Sequence, residues 1–114
     1  MNEKTIQSKI LLEVGSKQTI RLFRNMVGVG KLQDGSIVRF GLMPGSADLI
    51  GWQTVTITPK MVGKKFAVFL SIEVKSEKGK PSDKQIQWQK VVADSGGKAI
   101  IAKNVSEIIN FLEL

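Results

Sequence analysis

Hydrophobic residues recur at helical spacing in three parts of the chain. Residues 6–14 show this spacing, and Gly15 is placed to end the helix that it predicts. A second helix is predicted to begin after Ser82, because Ser82 and Gln85 fit a capping box, in which each side chain caps the other residue's backbone amide. Asn104 precedes a closing helix in the same way. The apolar positions of the closing helix are Val105, Ile108, Ile109 and Leu112.

Between the first two helices the pattern is typical of strands. Apolar and polar residues alternate over about residues 18–26, and residues 37–40 are predicted to be the return arm of a hairpin. The residues predicted to mark turns between these segments are Gly28, Gly30, Asp34 and Gly35. Residues 40–48 are predicted to form a loop, and a strand follows from Asp48 that continues or bends through Thr58.

The most informative predicted strand covers residues 66–75. Its alternation places Ser71, Glu73 and Lys75 on one face, whereas the opposite face is apolar. A short apolar strand at residues 99–102 follows the second helix. The order helix, strands, helix, strand, helix predicts an α/β fold in which a mixed central sheet is flanked by helices, as a single domain over residues 1–114.

The Glu73 and Lys75 pair has two interpretations. An isolated acid and base two residues apart is often a surface ion pair. Here they emerge side by side at a strand end, where a second carboxylate from a neighbouring strand would create a metal-dependent site. Asp48 is the candidate for that carboxylate, although an Asp in a loop also commonly hydrogen-bonds its own backbone.

Composition excludes most other catalytic chemistry. The chain contains no His, Cys or Tyr, so zinc sites of Cys and His, a Cys nucleophile, a Ser-His-Asp relay and a tyrosyl link to DNA are all impossible. An enzyme of this composition depends on carboxylates, lysines, hydroxyls and a bound metal. Oxygen ligands suit Mg²⁺ or Mn²⁺, and nothing in the chain predicts a small-molecule cofactor.

Net charge indicates a polyanionic partner. Lys and Arg outnumber Asp and Glu by 17 to 10, which gives a net charge of +7 and favours nucleic acid over a membrane as the partner. The N-terminus lacks a signal-peptide pattern, and no segment approaches about 18 consecutive apolar residues, so a cytoplasmic protein is expected. The basic residues predicted to contact DNA phosphates are Arg21, Arg24, Arg39, Lys78, Lys80 and Lys84.

Several motifs in chain order resemble one nuclease family. They are an acid on the first helix, Arg24-Asn-Met-Val-Gly28, Gly45-x-x-Asp48, Glu73-x-Lys75 and Gln85-x-x-Trp88. Together they resemble the virus-type replication-repair nuclease domain, a branch of the PD-(D/E)xK superfamily with a restriction-endonuclease-like core. One position departs from this pattern, because relatives commonly have Pro where this chain has Ala47. Pro would stiffen the loop without binding metal, so the expected chemistry is unchanged.

The resemblance implies a role for each site residue. Asp48, Glu73, the Val74 carbonyl and Glu3 would hold one or two Mg²⁺ ions, with Mn²⁺ as a possible substitute. Lys75 would hydrogen-bond the attacking water or stabilise the transition state, and Gln85 would help to position water, metal or DNA. Glu13 is the alternative to Glu3 as the helical acid. Gln85 also has a simpler role as a capping residue, and Trp88 is expected to pack the helix.

The resemblance also implies a substrate and an assembly. Small stand-alone members are similar to phage-type resolvases, so cleavage of branched DNA, in particular a four-way (Holliday) junction, by a homodimer in a bacterial host is expected. Flaps and other DNA structures are alternative substrates. Two other classes remain open, namely a basic nucleic-acid-binding module without catalysis and a structural or interaction protein.

Overall fold

The computed structural model describes residues 2–114, which contain three α-helices, six strands and one 3-10 turn. In chain order they are α1 (Glu3–Glu13), β1 (Ile20–Arg24), β2 (Gly28–Lys31), β3 (Ile37–Phe40), β4 (Leu49–Gln53), the 3-10 turn (Pro59–Met61), β5 (Leu70–Val74), α2 (Asp83–Asp94), β6 (Lys98–Ala102) and α3 (Val105–Leu112). These elements form two compact units, divided between Val55 and Thr56. We refer to them as the N-terminal unit and the C-terminal unit.

The N-terminal unit contains two antiparallel strand pairs and one helix. Strand β1 pairs with β4, so that Ile20 lies opposite Gln53 and Arg24 lies opposite Leu49. Strand β2 pairs with β3 in a hairpin. Helix α1 begins where the Asn2 side chain accepts a hydrogen bond from the backbone amide of residue 5 at 2.8 Å.

The β2–β3 hairpin turns at the predicted place but has an unpredicted first arm. The turn lies at Asp34 and Gly35, where Gly35 has a φ of 90° that favours glycine. Gly28 and Gly30 were expected in turns, and this prediction is wrong, because both lie in β2. Gly28 lies under the ring of Phe40 on the paired strand, and an added Cβ would overlap that ring, so glycine permits the ring to lie against the backbone of β2.

The C-terminal unit is a parallel strand pair joined by a helix. Strands β5 and β6 pair in parallel from Leu70 opposite Lys98 to Val74 opposite Ala102, and α2 forms the connection between them. The predicted capping box at the start of α2 is present. The closing helix α3 begins after Asn104, whose side chain accepts from the Glu107 amide, as the sequence also predicted.

Strand pairing confirms the α/β class but not the expected single mixed sheet. Among residues 2–114 the strands form three two-stranded sheets, two antiparallel and one parallel. The predicted strand 48–58 stops at Gln53, and the predicted strand 66–75 is paired only from Leu70. Between them Pro59 begins a 3-10 turn, and proline lacks the amide donor that a continuing strand needs.

Buried residues are few and lie in the C-terminal unit. Among the described residues Val92 of α2 and Ala102 of β6 are each 1% exposed, and the polar Gln89 is 8% exposed. Larger apolar residues on β5 remain exposed, for example Ile72 at 42%. Within residues 2–114 no helix has the length and apolar character needed to cross a bilayer.

Candidate active site

The polar face of β5 points toward helix α2. Ser71 and Glu73 are half-buried, whereas their neighbours Leu70, Ile72 and Val74 are exposed. The alternation predicted from the sequence is therefore confirmed over the paired part of the strand. Helix α2 is the crossover connection from β5 to β6, and its side chains hydrogen-bond to this polar face.

Glu73 receives two contacts on the same carboxylate oxygen. Nζ of Lys75 lies 3.6 Å from Oε2 of Glu73, and Nε2 of Gln85 donates to that oxygen at 3.2 Å. Within residues 2–114 the other oxygen, Oε1, accepts no hydrogen bond. The Glu73 side chain is 31% exposed, so solvent or a ligand has access to it. The structure thus brings together three of the predicted site residues, with one carboxylate oxygen held and the other open.

Gln85 caps the start of α2 and also contacts Glu73. Its side-chain Oε1 accepts from the backbone amide of Ser82 at 2.9 Å, and the backbone amide of Gln85 donates to Oγ of Ser82 at 3.1 Å. A glutamine side chain has one acceptor end and one donor end. Because the cap uses the acceptor end, the donor end is available to Glu73. The start of α2 therefore also orients the carboxylate.

A second polar cluster on the same face was not predicted as part of the site. Nε1 of Trp88 donates to Oγ of Ser71 at 2.8 Å, and that hydroxyl donates to Oε1 of Gln89. Nε2 of Gln89 donates to the carbonyls of Ile100 at 2.7 Å and of Ser71 at 3.2 Å. The buried amide of Gln89 is thereby satisfied and links α2 to both strands.

The sequence contains a signal that would have found this cluster. Gln89 follows Gln85 by four residues, which places both on one side of a helix, and Ser71 precedes Glu73 by two, which places both on one side of a strand. Trp88 was expected to pack the helix. Its ring also meets Phe69 edge-on, with the ring centroids 6.5 Å apart.

Asp48 lies in the N-terminal unit, directly before β4. Asp48 is exposed, and its backbone carbonyl accepts a hydrogen bond from the backbone amide of Asn25 at 2.8 Å. Within residues 2–114 its carboxylate accepts no hydrogen bond. The interpretation of Asp48 as a residue that caps its own loop therefore finds no support in the hydrogen bonding, and the carboxylate is free for another ligand.

The two candidate helical acids occupy opposite ends of α1. Glu3 is the first residue of the helix and Glu13 is the last, so about 15 Å of helix separates their backbones. Only Glu3 complements the positive end of the helix dipole. Arg24 ties this helix to β1, because it donates to Oε1 of Gln7 at 2.8 Å and to Oγ of Ser8 at 3.0 Å.

The residues predicted to contact DNA are exposed and lack acidic partners. None of the six forms a salt bridge within the described part of the chain; they are Arg21, Arg24, Arg39, Lys78, Lys80 and Lys84. Lys90 differs, because it pairs with Asp94 at 2.7 Å, and this hydrogen bond raises the pKa of Lys90. The unpaired cations retain their charge for an anionic partner.

Comparison with known protein families identifies the chain. The family model described as the VRR-NUC domain matches residues 2–106 of the 114 residues. No curated protein and no solved structure matches the chain. The family predicted from the motifs is therefore confirmed. The chain belongs to the VRR-NUC domain family, and this membership implies a nuclease-type function with DNA as the substrate.

Proposed function

We propose that the protein is a Mg²⁺-dependent, structure-selective endonuclease that hydrolyses phosphodiester bonds in branched DNA. The observation that carries the proposal is the Glu73 carboxylate in a chain of a nuclease family, with Lys75 and Gln85 on one oxygen and the other oxygen open. A four-way junction acted on by a homodimer is the proposed substrate and assembly.

The proposed ligands are carboxylate and carbonyl oxygens, which suit Mg²⁺. Among residues 2–114 no three acidic side chains cluster to form a complete metal cage. Mg²⁺ is usually held by one or two carboxylates, with waters and substrate phosphate as the remaining ligands. We propose Glu73 and the Val74 carbonyl, which are adjacent in β5, as ligands. Asp48 and Glu3 are proposed only from the order of the family's motifs, because among the described residues the structure does not gather three acidic side chains into one group. When bound, the metal would supply Lewis-acid activation of water and neutralise charge on the phosphate.

Lys75 and Gln85 have separate tasks in this proposal. The Lys75 ammonium lies 3.6 Å from the carboxylate, which keeps a positive charge where the scissile phosphate would arrive. From there it donates to the attacking water or to the phosphate oxygens as their charge increases. Gln85 holds one oxygen of Glu73 while its other end remains in the helix cap. The carboxylate is thereby oriented before substrate binds.

Exposed cations provide the affinity for DNA. Lys78 and Lys80 lie on the loop after β5, and Lys84 lies in the first turn of α2, so all three follow Lys75 closely along the chain. Phosphate contacts of this type carry little sequence information, which fits an enzyme that recognises DNA shape. Each lost contact is expected to lower the slope of log affinity against log salt by about 1.

The homodimer follows from the symmetry of the proposed substrate. A four-way junction is two-fold symmetric and needs paired nicks, whereas one chain of this size offers one active site. Two copies related by a two-fold axis would supply both cuts.

The test is cleavage of end-labelled linear, flap and four-way DNA with Mg²⁺, Mn²⁺ or chelator. We expect paired nicks in the four-way substrate, no cleavage in chelator, and a dimer by light scattering. A Lys75→Ala variant should be inactive, whereas Lys90→Ala is the matched control because Lys90 is already paired with Asp94. Cleavage that survives chelator would refute the metal mechanism. A binding module without catalysis would leave every substrate intact, and selective cutting of flaps would correct the substrate alone.

A further inference from the structure

One asparagine holds both ends of the loop that carries Asp48. We propose that Asn25, directly after β1, is a positioning residue that orients the Asp48 backbone for its role in the site. This inference rests on the proposed function, in which Asp48 is a metal ligand.

All the hydrogen-bonding groups of the Asn25 side chain are used on this loop. Its Oδ1 accepts from the Leu42 amide at 2.9 Å, at the start of the loop. Its Nδ2 donates to Oγ of Ser46 at 2.7 Å and to the carbonyl of Ala47 at 2.8 Å, at the end of the loop. An amide provides this combination of one acceptor and two donors, whereas a carboxylate or a hydroxyl does not.

The backbone of Asn25 holds the peptide group that follows the Asp48 Cα. Its amide donates to the carbonyl of Asp48 at 2.8 Å, which continues the β1–β4 pairing by one residue beyond Arg24 and Leu49. The carbonyls of Ala47 and Asp48 therefore both accept from Asn25, so the peptide planes on both sides of the Asp48 Cα are held. The direction of the Asp48 Cα–Cβ bond follows from these two planes.

The loop has little else to hold it. Gly41 and Gly45 have φ values of 80° and 88°, which favour glycine, and glycine allows many alternative conformations. One hydrogen bond within the loop joins the Ser46 amide to the Met43 carbonyl at 3.0 Å. Every residue from 41 to 48 except Ser46 is exposed. Without the Asn25 side chain we expect the loop to sample several conformations.

The main variant is Asn25→Asp, which keeps the acceptor for the Leu42 amide and loses both donors. Asn110→Asp, on the exposed surface of α3, makes the same chemical change outside the site and serves as the matched control. In metal-free protein we expect faster amide hydrogen exchange at residues 42–48 of Asn25→Asp only. Ser46→Ala removes one acceptor and should give a smaller increase. If Asn25→Asp unfolds, amide exchange in Ser46→Ala still tests whether this side-chain contact holds the loop.

The functional readouts separate positioning from general damage. With four-way DNA we expect Asn25→Asp to lower kcat about 10- to 100-fold with little change in KM for DNA, as is typical for residues that orient metal ligands. Mn²⁺ binding, measured by electron paramagnetic resonance without DNA, should weaken by a similar factor. Unchanged exchange, kcat and Mn²⁺ affinity in Asn25→Asp would overturn the inference.

An Asp48→Asn variant distinguishes failure of this inference from failure of the proposed function. Loss of cleavage in Asp48→Asn together with normal cleavage and Mn²⁺ binding in Asn25→Asp would refute the role of Asn25 alone. Full activity and Mn²⁺ binding in Asp48→Asn would overturn both the metal role of Asp48 and the positioning role that depends on it. If the wild type cuts no DNA, the exchange and Mn²⁺ measurements still decide whether Asn25 orients a metal-binding loop.

Discussion

Glu73 and Asp48, two of the proposed metal ligands, are held in different ways. Glu73 lies in a strand, and Gln85, 12 residues later in a capped helix, contacts its side chain. Asp48 lies at the end of a glycine-containing loop, and a residue more than 20 positions earlier holds its backbone while its side chain remains unbound among residues 2–114. One unit therefore orients a side chain directly, and the other orients a peptide.

The surroundings of the two carboxylates also differ, because Glu73 is near a buried hydrogen-bond network and Asp48 is in an exposed loop. On the strand that carries Glu73, Ser71 is hydrogen-bonded to Gln89, which is 8% exposed and links α2 to both strands of the C-terminal unit. Around Asp48 the loop is almost entirely exposed. Buried hydrogen bonds are costly to break, whereas exposed ones exchange readily with water. We therefore expect the Glu73 region to open rarely and the Asp48 loop to open more easily.

The largest expected effect is from removal of the Glu73 charge. Glu73→Gln keeps the size of the side chain and should lower the cleavage rate by about 10³-fold or more, because a charged metal ligand is worth several kcal/mol in the transition state. DNA affinity should stay the same or rise, since one negative charge is lost. Single-turnover cleavage and equilibrium binding measure the two effects.

The matched control for this variant is Glu77→Gln, on the loop after β5. Its exposed side chain lies outside the proposed site, so cleavage should continue at the wild-type rate. Equal rates for Glu73→Gln and wild type would show that the held carboxylate is not catalytic.

The next largest expected effect is on the free energy of unfolding, and it comes from removal of the buried side-chain amide of Gln89. Gln89→Leu leaves the Ser71 hydroxyl and two carbonyls without this partner, and we expect a loss of about 2 kcal/mol in the free energy of unfolding. Gln87→Leu changes an exposed position on the same helix and should stay within about 0.5 kcal/mol of wild type. Urea unfolding measures both. Equal losses in the two variants would mean that the network adds nothing specific.

A smaller effect separates the two roles of Gln85. Ser82→Ala and Gln85→Ala each remove half of the capping box and should each cost about 1 kcal/mol of stability. Only Gln85→Ala also removes the hydrogen bond to Oε2 of Glu73, so it alone should slow cleavage, by about tenfold. The comparison of kcat at equal stability isolates this contact. Similar kcat values would restrict Gln85 to capping.

The smallest expected effect is a pH dependence confined to the N-terminal unit. Hydrogen bonds from the Ser36 hydroxyl and amide to Asp34 hold the pKa of this carboxyl below its usual value. The turn is therefore stabilised at pH values above the unfolded pKa of about 4, and this stabilisation is lost as the pH falls through the lower folded value. Amide exchange across β2 and β3 should accelerate at acid pH, and Asp34→Asn should remove this dependence. If the acceleration of exchange at acid pH persists unchanged in Asp34→Asn, a group other than Asp34 is responsible for it.

The sequence predicted the C-terminal unit better than the N-terminal one. The α2 capping box depends on residues three positions apart, and the alternation of β5 depends on residues two apart, so both are visible locally. In the N-terminal unit β1 pairs with β4 across the whole hairpin, and Gly28 of β2 pairs with Phe40 of β3, whose ring leaves no room for a side chain at Gly28. Such contacts depend on residues far apart in the chain, and no local pattern encodes them.

The sequence by itself determined the family, the identity of the candidate site residues and the starts of α2 and α3, because motif spacing and caps are properties of neighbouring residues. The tertiary structure alone decided that Gln85 caps a helix and holds Glu73 at the same time, that Gln89 links α2 to both strands, and that Asn25 holds the loop before Asp48. The physical reason is that hydrogen bonds form between groups that folding brings within about 3 Å, and separation along the chain does not predict which groups will meet.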